Sequence, residues 1–421
     1  MEKNYDVIVC GGGMAGVAAA CAASREGADV LLIERYGFLG GLPVNGFVNP
    51  FMTFCVHKSN GQRDWDKDVV CRGIFEEIIN GLADLDGINM QYRSTFSEEA
   101  MKLTLDRIVK KYGVNVLFHS FIFDANIDNG NVASIKVANK NGAVTYSAKY
   151  FIDATGDADI VNLAGGEWAF GRETDGYAQP MTLCFRLADI DKSKLNYKEI
   201  NEKYKQFRTE GKIKNPREDV LIFPHIVDDV LHFNSTRIIK KSAIVAEDLT
   251  EAEFEAREQV RELHMFLKNN IPGFENSKLL MTAPQVGSRE SRRIIGEYLL
   301  TADDLMATTK FEDSVARGTY EIDIHNPTGS GTYHLGIPND DYYTIPLRSM
   351  LPKNINNVAV AGKPISCTHE AHAAIRILPI VCCIGEGAGI AAGVALRNNQ
   401  KLKDVNMKTV HEIMDKNNAL Y

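Results

Sequence analysis

The chain has 421 residues, 45% of them hydrophobic and 24% charged, which is enough for two or three packed units around a sizeable core. A formal net charge of -8, with no run of five or more Lys and Arg, excludes the electrostatic footprint of a polyanion binder and so nucleic acid as a partner. The eight cysteines form no C-x-x-C or C-x4-C pair, which excludes a zinc or iron-sulfur cluster of ordinary spacing and leaves buried, reduced thiols as the reading.

The head MEKNYD carries two acids against one Lys, three glycines interrupt the apolar run that follows, and Val9 before Cys10 is not the small residue of a cleavage site. No uninterrupted apolar stretch approaches the roughly eighteen residues of a membrane span. The expectation is a soluble, cytoplasmic protein.

DVIVC then reads as a fully buried strand, Gly11-x-Gly13-x-x-Gly16 as a tight turn, MAGVAAACAASREG as a helix ending near Gly27, and DVLLIER as a second, parallel strand. Gly11 permits the turn, Gly13 lets the backbone approach a pyrophosphate, and Gly16, with Ala20 a turn later, lets helix and sheet close. The pyrophosphate would sit on the helix N-terminus, beside Met14 and Ala15. Glu34, 18 residues after Gly16 and followed by Arg35, places a carboxylate where adenosine ribose hydroxyls can donate to it. These features point to a dinucleotide, and FAD and NAD share them.

Two further stretches bear on that choice: RYGFLGGLPVNG, with Gly40 and Gly41 shortly after the acid, and YFIDATGDAD, a strand running into Ala154, Thr155, Gly156 and Asp157. Here the sequence resembles the FAD-dependent oxidoreductases of the glutathione-reductase-like superfamily, on the branch related to fumarate reductase and succinate dehydrogenase flavoproteins. The resemblance covers residues 5–48, 114–165 and 340–398. It implies that Gly40, Gly41 and Leu42 approach the pyrophosphate and ribityl chain, that the A-T-G-D turn closes over the adenosine side, and that backbone near Phe121 and Ile122 contacts adenine. Residues 50–100 read as a partly helical insertion. Between 114 and 152, alternating residues around the turns IDNGN and NKNGA indicate an antiparallel meander.

The segment 166–339 mixes short strands (MTLCFRLADI, DVLIFPHI, VLHFNSTRII) with a polar helix around DLTEAEFEAREQVRELHMFLKNNI, and is expected to be an inserted α+β substrate or lid domain. In QVGSRESRRIIGEYLL, a helical reading puts Arg289 and Arg293 on one face with Arg292 beside them, either as a clamp for a substrate carboxylate or as a salt-bridged surface helix. His225, Tyr320 and His325 are weaker candidates of the same kind.

Near the end, NNVAVAG reads as a strand and a Gly362 turn, followed by a polar loop and a helix with Pro379 in its opening turn. Gly385, Gly389 and Gly393 form a small-residue stripe on one helix face. The resemblance implies that this helix points its N-terminus at the pyrimidine edge of the isoalloxazine, with Gly362, Pro379 and Gly385 near the cofactor. The loop SCTHEAHAAIR offers Ser366, His369, Glu370, His372 and Arg376; histidine suits proton transfer near neutral pH and arginine suits a carboxylate, although each lone His equally fits a structural hydrogen bond. The two histidines of HEAH are three apart rather than four, with no third ligand marked, so no metal is expected. Covalent flavin attachment through His57 or His369 has no supporting motif.

The expected architecture is therefore α/β: a discontinuous Rossmann-like FAD-binding domain (1–165 and 340–421), containing a parallel sheet and the meander, with residues 166–339 inserted. The expected cofactor is non-covalent FAD. The expected activity is hydride transfer between flavin N5 and a small polar, carboxylate-bearing substrate, with His369, His372, Arg376 and Arg289 as the catalytic set. A flavin monooxygenase-type enzyme and an FAD-retaining, non-catalytic binding or scaffold protein are the alternatives. No second nucleotide unit is present, so the electron donor or acceptor stays unassigned, and a homodimer is an open option.

Overall fold

The computed structural model describes residues 3–65 and 67–421. Strand β1 (Lys3–Cys10) leads through the glycine turn into helix α1 (Met14–Arg25) and strand β2 (Val30–Ile33), which lies parallel to β1 in the register Val7↔Val30 to Cys10↔Ile33. The last four residues of β1 and all of β2 are buried, as strands covered on both faces require. A single helical turn, α2 (Leu42–Asn45), and two longer helices, α3 (Ile74–Ala83) and α4 (Glu98–Lys111), follow. The start of α4 is fixed by Ser97, whose side chain accepts from the Ala100 N–H.

Next come β3 (Asn115–Leu117), β4 (Phe121–Asp128), β5 (Asn131–Asn139) and β6 (Gly142–Asp153). The first of these corrects the sequence reading: β3 pairs parallel to β2, and the antiparallel meander begins only at Phe121. Three residues are too few for alternation to reveal which neighbour a strand chooses. β6 is long enough to pair antiparallel with β5 and parallel with β1, from Lys3↔Tyr146 to Cys10↔Asp153, so it joins meander and Rossmann sheet into one sheet.

After α5 (Asp159–Leu163) and β7 (Trp168–Phe170), the second unit contains β8 (Phe185–Ala188), α6 (Tyr197–Thr209), β9 (Ile222–Pro224), β10 (Leu231–Phe233), α7 (Ala246–Asn270) and β11 (Lys278–Thr282). Its four strands form an antiparallel sheet in the order β11-β8-β10-β9. α7 buries Ala252, Ala256, Val260, Leu263 and Leu267, one helical stripe, in an apolar cluster that otherwise draws on residues 181–286 and Phe47.

That cluster is narrower than the 166–339 unit read from the sequence. β12 (Arg292–Ile294) pairs with β7, and after α8 (Ala302–Met306) the strands β13 (Ser314–Gly318), β14 (Ile322–His325), β15 (Thr332–Leu335) and β16 (Tyr343–Pro346) return the chain to the first unit. Val315, Ala316, Ile322 and Ile345 lie in the first apolar cluster. A second correction concerns residues 285–300, which are extended and not helical. Arg292 and Arg293 pair with Phe170 and Ala169, so Arg289 and Arg293 share no helix face. Arg293 is buried and ion-paired with Glu290; a pattern of closely spaced charges that resembles a solvated helix is here an interior strand.

The chain closes with β17 (Val358–Val360), parallel to β6, then α9 (His369–Ile375), α10 (Leu378–Asn398) and α11 (Met407–Lys416). α9 replaces the expected loop, capped by the Thr368 side chain, which accepts from the Ala371 N–H. By length and composition α10 meets the criteria of a membrane span, although Glu386 interrupts its apolar run, and its apolar window is entirely buried inside the protein. Its glycine stripe packs on α1: a Cβ at Gly389 would lie 2.2 Å from the Ala19 carbonyl oxygen.

Candidate functional site

A cleft of about 410 Å³ opens where β1, β2 and β6 end. The glycine turn forms its floor. Gly11 has φ +103°, and a Cβ there would lie 2.4 Å from the Ala154 carbonyl oxygen; a Cβ at Gly16 would lie 1.8 Å from the Gly11 oxygen. Gly13 faces Gly41, and Gly40 N–H donates to the Gly12 carbonyl at 2.8 Å, so the two glycine loops lie against each other. No side chain caps the N-terminus of α1 and no acid occupies its first turn, which leaves its N–H groups and positive end free for an anion.

Glu34 accepts from Gly12 N–H at 2.7 Å and Tyr36 N–H at 2.8 Å. Burial raises its pKa, against the lowering effect of those two donors. Across the cleft, fully buried Asp153 organises the A-T-G-D turn: it accepts from Thr155 Oγ1 at 2.7 Å, Ile160 N–H at 2.8 Å and Val161 N–H at 3.1 Å. Burial, reinforced by the nearby Asp159 charge, pushes Asp153 up to about 6. Lys363 clamps the same turn through the Gly156 carbonyl, Asp157 at 3.2 Å and Ser291 Oγ at 2.8 Å. Sequence reasoning passed over both residues, although Asp153 opens the quoted turn motif and Lys363 follows Gly362 directly.

Of the residues expected at the cofactor, all line the cleft except Gly16, Pro379 and Gly385. Gly16 is consumed in helix-strand packing, and Gly385 abuts the Ala15 backbone. Pro379 occupies the first turn of α10 while Leu378 and Val381 present the lining atoms. α10, like α1, starts without a side-chain cap or an acid in its first turn, so two uncapped helix N-termini border one cleft.

Arg376 lines the cleft, whereas His369, His372 and Arg289 do not. The Arg376 guanidinium donates to Asp323 Oδ2 at 3.4 Å, and Asp323 also accepts from Tyr320 OH at 2.9 Å. His325 Nδ1 is 3.1 Å from an Arg237 guanidinium nitrogen, which can only donate; the ring proton is therefore on Nε2, 3.5 Å from Asp323. Burial alone would raise Asp323, but His325, Arg376 and Tyr320 hold it well below the usual carboxylate range. Arg289 donates to Pro180 O at 2.8 Å, Asn234 Oδ1 at 3.3 Å and Thr182 Oγ1, all neutral acceptors. Burial, then the charges of Arg376, Arg217 and Arg237, bring its pKa down to about 9.

Glu290 engages Arg293, the Gln179 N–H at 2.9 Å and His369 Nδ1 at 3.0 Å. Neither ring nitrogen of fully buried His372 has a hydrogen-bond partner among the described residues, and burial, with surrounding cations, keeps the ring well below its ordinary pKa and so neutral.

The sequence profile of the family described as FAD dependent oxidoreductase matches residues 6–414. The chain belongs to the FAD dependent oxidoreductase family. A search of curated proteins finds no match. Among solved structures, the flavin-dependent brominase Bmp2 superposes with a TM-score of 0.50 at 13% identity, covering 99% of this chain and 84% of that one, which shows the shared fold. A geranylgeranyl bacteriochlorophyll reductase-like protein from Thermoplasma acidophilum gives a TM-score of 0.48 at 15% identity, over 99% of this chain and 83% of that one.

FAD is the non-covalent cofactor of this FAD dependent oxidoreductase, and the cleft fits it. Two mutually apposed glycine loops leave room for a pyrophosphate beside the uncapped α1 N-terminus, Glu34 keeps spare acceptor positions at the adenosine end, and the second uncapped helix stands at the other end.

Proposed function

We propose that this FAD dependent oxidoreductase transfers a hydride between flavin N5 and a small carboxylate-bearing substrate. When bound, FAD supplies a two-electron centre at N5 and an N1/O2 edge on which negative charge collects during reduction. The α10 N-terminus is placed to stabilise that charge. Arg376, at the cleft and steadied by Asp323, and Arg289, outside the cleft lining but with accessible surface and held by three neutral acceptors, bind and orient the substrate carboxylate. His369 lies outside the cleft lining; it keeps its proton on Nδ1 against Glu290 and holds a buried Nε2, with no protein partner among the described residues, as the group on hand to take or return the substrate proton once the substrate is seated. His372, fully buried on α9, stays neutral. The second unit contributes Ala243, Leu249 and Val286 to the cleft wall and so helps to exclude water.

The observation that carries this reading is Arg289: a guanidinium that keeps some accessible surface, set among other cations, with no carboxylate within ion-pairing distance among the described residues. Eight buried, unpaired thiols fit a reducing, cytoplasmic setting. The test is anaerobic titration of the yellow holoenzyme with hydroxy acids, amino acids and, after chemical reduction, unsaturated acids. Bleaching or reoxidation by a carboxylate-bearing compound supports hydride transfer. Reduction by NAD(P)H alone, followed by oxygen-dependent product formation, would replace it with the monooxygenase reading.

A further inference from the structure

Ion pairing around Arg289 leaves a specific charge imbalance. Its three guanidinium neighbours each have an acid: Arg376 with Asp323 at 3.4 Å, Arg217 with Asp219 at 2.9 Å, and Arg237 with Glu218 at 2.9 Å. Arg289 has none within ion-pairing distance among the described residues, and it retains accessible surface while its donors rest on neutral oxygens. The cluster thus carries one positive charge more than it can neutralise. Two other basic groups are not available as free cations: Lys363 is tied to Gly156, Asp157 and Ser291, and His325 is kept neutral by burial and by the Arg289 charge.

From this balance we infer that the substrate is a monoanion, one carboxylate on an otherwise uncharged small molecule, anchored on Arg289, and that dicarboxylates are rejected. The inference rests on the proposed function for its site and adds the charge class. A first carboxylate completes the pairing of Arg289. A second would meet the three neighbouring guanidinium groups already matched, and an unpaired charge in a low-dielectric space is costly. Gln179 supports the same anchor: its Oε1 accepts from His325 N–H at 3.3 Å, which orients the amide and leaves its buried Nε2 as a neutral donor next to Pro180, the residue whose carbonyl holds Arg289. A neutral donor adds affinity for an oxygen without supplying charge for a second carboxylate.

The experiment titrates holoenzyme with redox-inert anions, acetate and propionate against malonate and succinate, followed by flavin difference spectra and by calorimetry in parallel. Monocarboxylates are expected to bind at least about tenfold tighter than dicarboxylates of similar size. Arg289→Met should abolish binding of both and Arg289→Lys should restore part of it. Asp323→Asn, which frees Arg376 at the cleft, should narrow or reverse the preference. Tighter dicarboxylate binding to the wild type, binding unaffected by Arg289→Met, or no anion binding by either method overturns the inference. Because these probes are not turned over, monoanion binding without substrate bleaching would sink the redox reading and leave the charge class standing, and the reverse result would do the opposite.

Discussion

Gly385 of α10 lies against Ala15 of α1 so closely that a Cβ at position 385 would sit 2.1 Å from the Ala15 carbonyl oxygen. The contact couples the two uncapped helix N-termini that border the cleft. The obstructing atom is backbone, so it cannot rotate away. Gly385→Ala should therefore lower stability by about 1–3 kcal/mol, the usual cost of overpacking, and shift the helices apart enough to weaken FAD retention. Thermal unfolding and the ratio of flavin to protein absorbance measure the two effects. A variant of wild-type stability would show that the helices separate at no cost.

Gly13 makes a different prediction. A Cβ there meets only the Gly41 Cα, at 3.8 Å, so the fold tolerates a side chain that the cleft does not. Gly13→Val should fold, with a native far-UV circular dichroism spectrum, yet purify colourless and stay so with added FAD. Gly16→Val, by contrast, should fail to fold, because its Cβ would collide with the Gly11 oxygen. A yellow Gly13→Val protein would remove the pyrophosphate from this turn.

The contrast between these glycines shows what was legible in the sequence. Spacing within G-x-G-x-x-G reports backbone geometry that any such turn must adopt, so the strand, turn, helix and second strand, and most of the cleft lining, could be read from residues 6–41. The same holds for Gly385, Gly389 and Gly393, whose period reports packing; that they serve the α1 contact rather than the cofactor depends on which helix arrives opposite, and this is a tertiary fact. Arg289 to Arg293 misled for a related reason. Local charge spacing suits a solvated helix, but pairing with Trp168–Phe170, far away in sequence, turned the segment into a buried strand. Asp153, Asp323 and Glu290 escaped notice because a buried carboxylate is defined by the donors that converge on it, and those come from distant segments.

Asp153 has a pH signature. Its folded pKa of about 6 lies above the unfolded value of about 3.9, so the folded state binds the proton more tightly than the unfolded chain does. The sign follows: this group's contribution favours folding below about pH 4, and is lost as pH rises to about 6, a change on the order of 3 kcal/mol. Asp153→Asn should flatten that part of the pH–stability profile. It should also cost about 1–3 kcal/mol near neutral pH, because the amide nitrogen cannot accept from the donors at one of the two carboxylate oxygens. Denaturant unfolding between pH 4 and 7.5 measures both. An unchanged slope in the variant would assign the pH dependence to other groups.

His369 and Glu290 test the proton path. The Glu290 carboxylate, 3.0 Å from Nδ1, fixes the ring's orientation and directs the lone pair to Nε2. His369→Gln should leave the flavin bound, since position 369 does not line the cleft, while slowing the half-reaction with substrate by roughly 10²–10⁴-fold, the range for loss of a general acid or base. Anion binding should change little, because Arg289 and Arg376 are untouched. Glu290→Gln tests the same path through positioning: the amide can offer Nδ1 either its oxygen or its NH2 group, so the ring is held less firmly and the rate should fall while the flavin stays bound. Stopped-flow absorbance of the flavin, recorded anaerobically, separates these outcomes from misfolding, because a merely structural histidine would alter flavin content and stability without slowing the half-reaction of the protein that retains its flavin. Full-rate reduction in His369→Gln would hand the proton to another group.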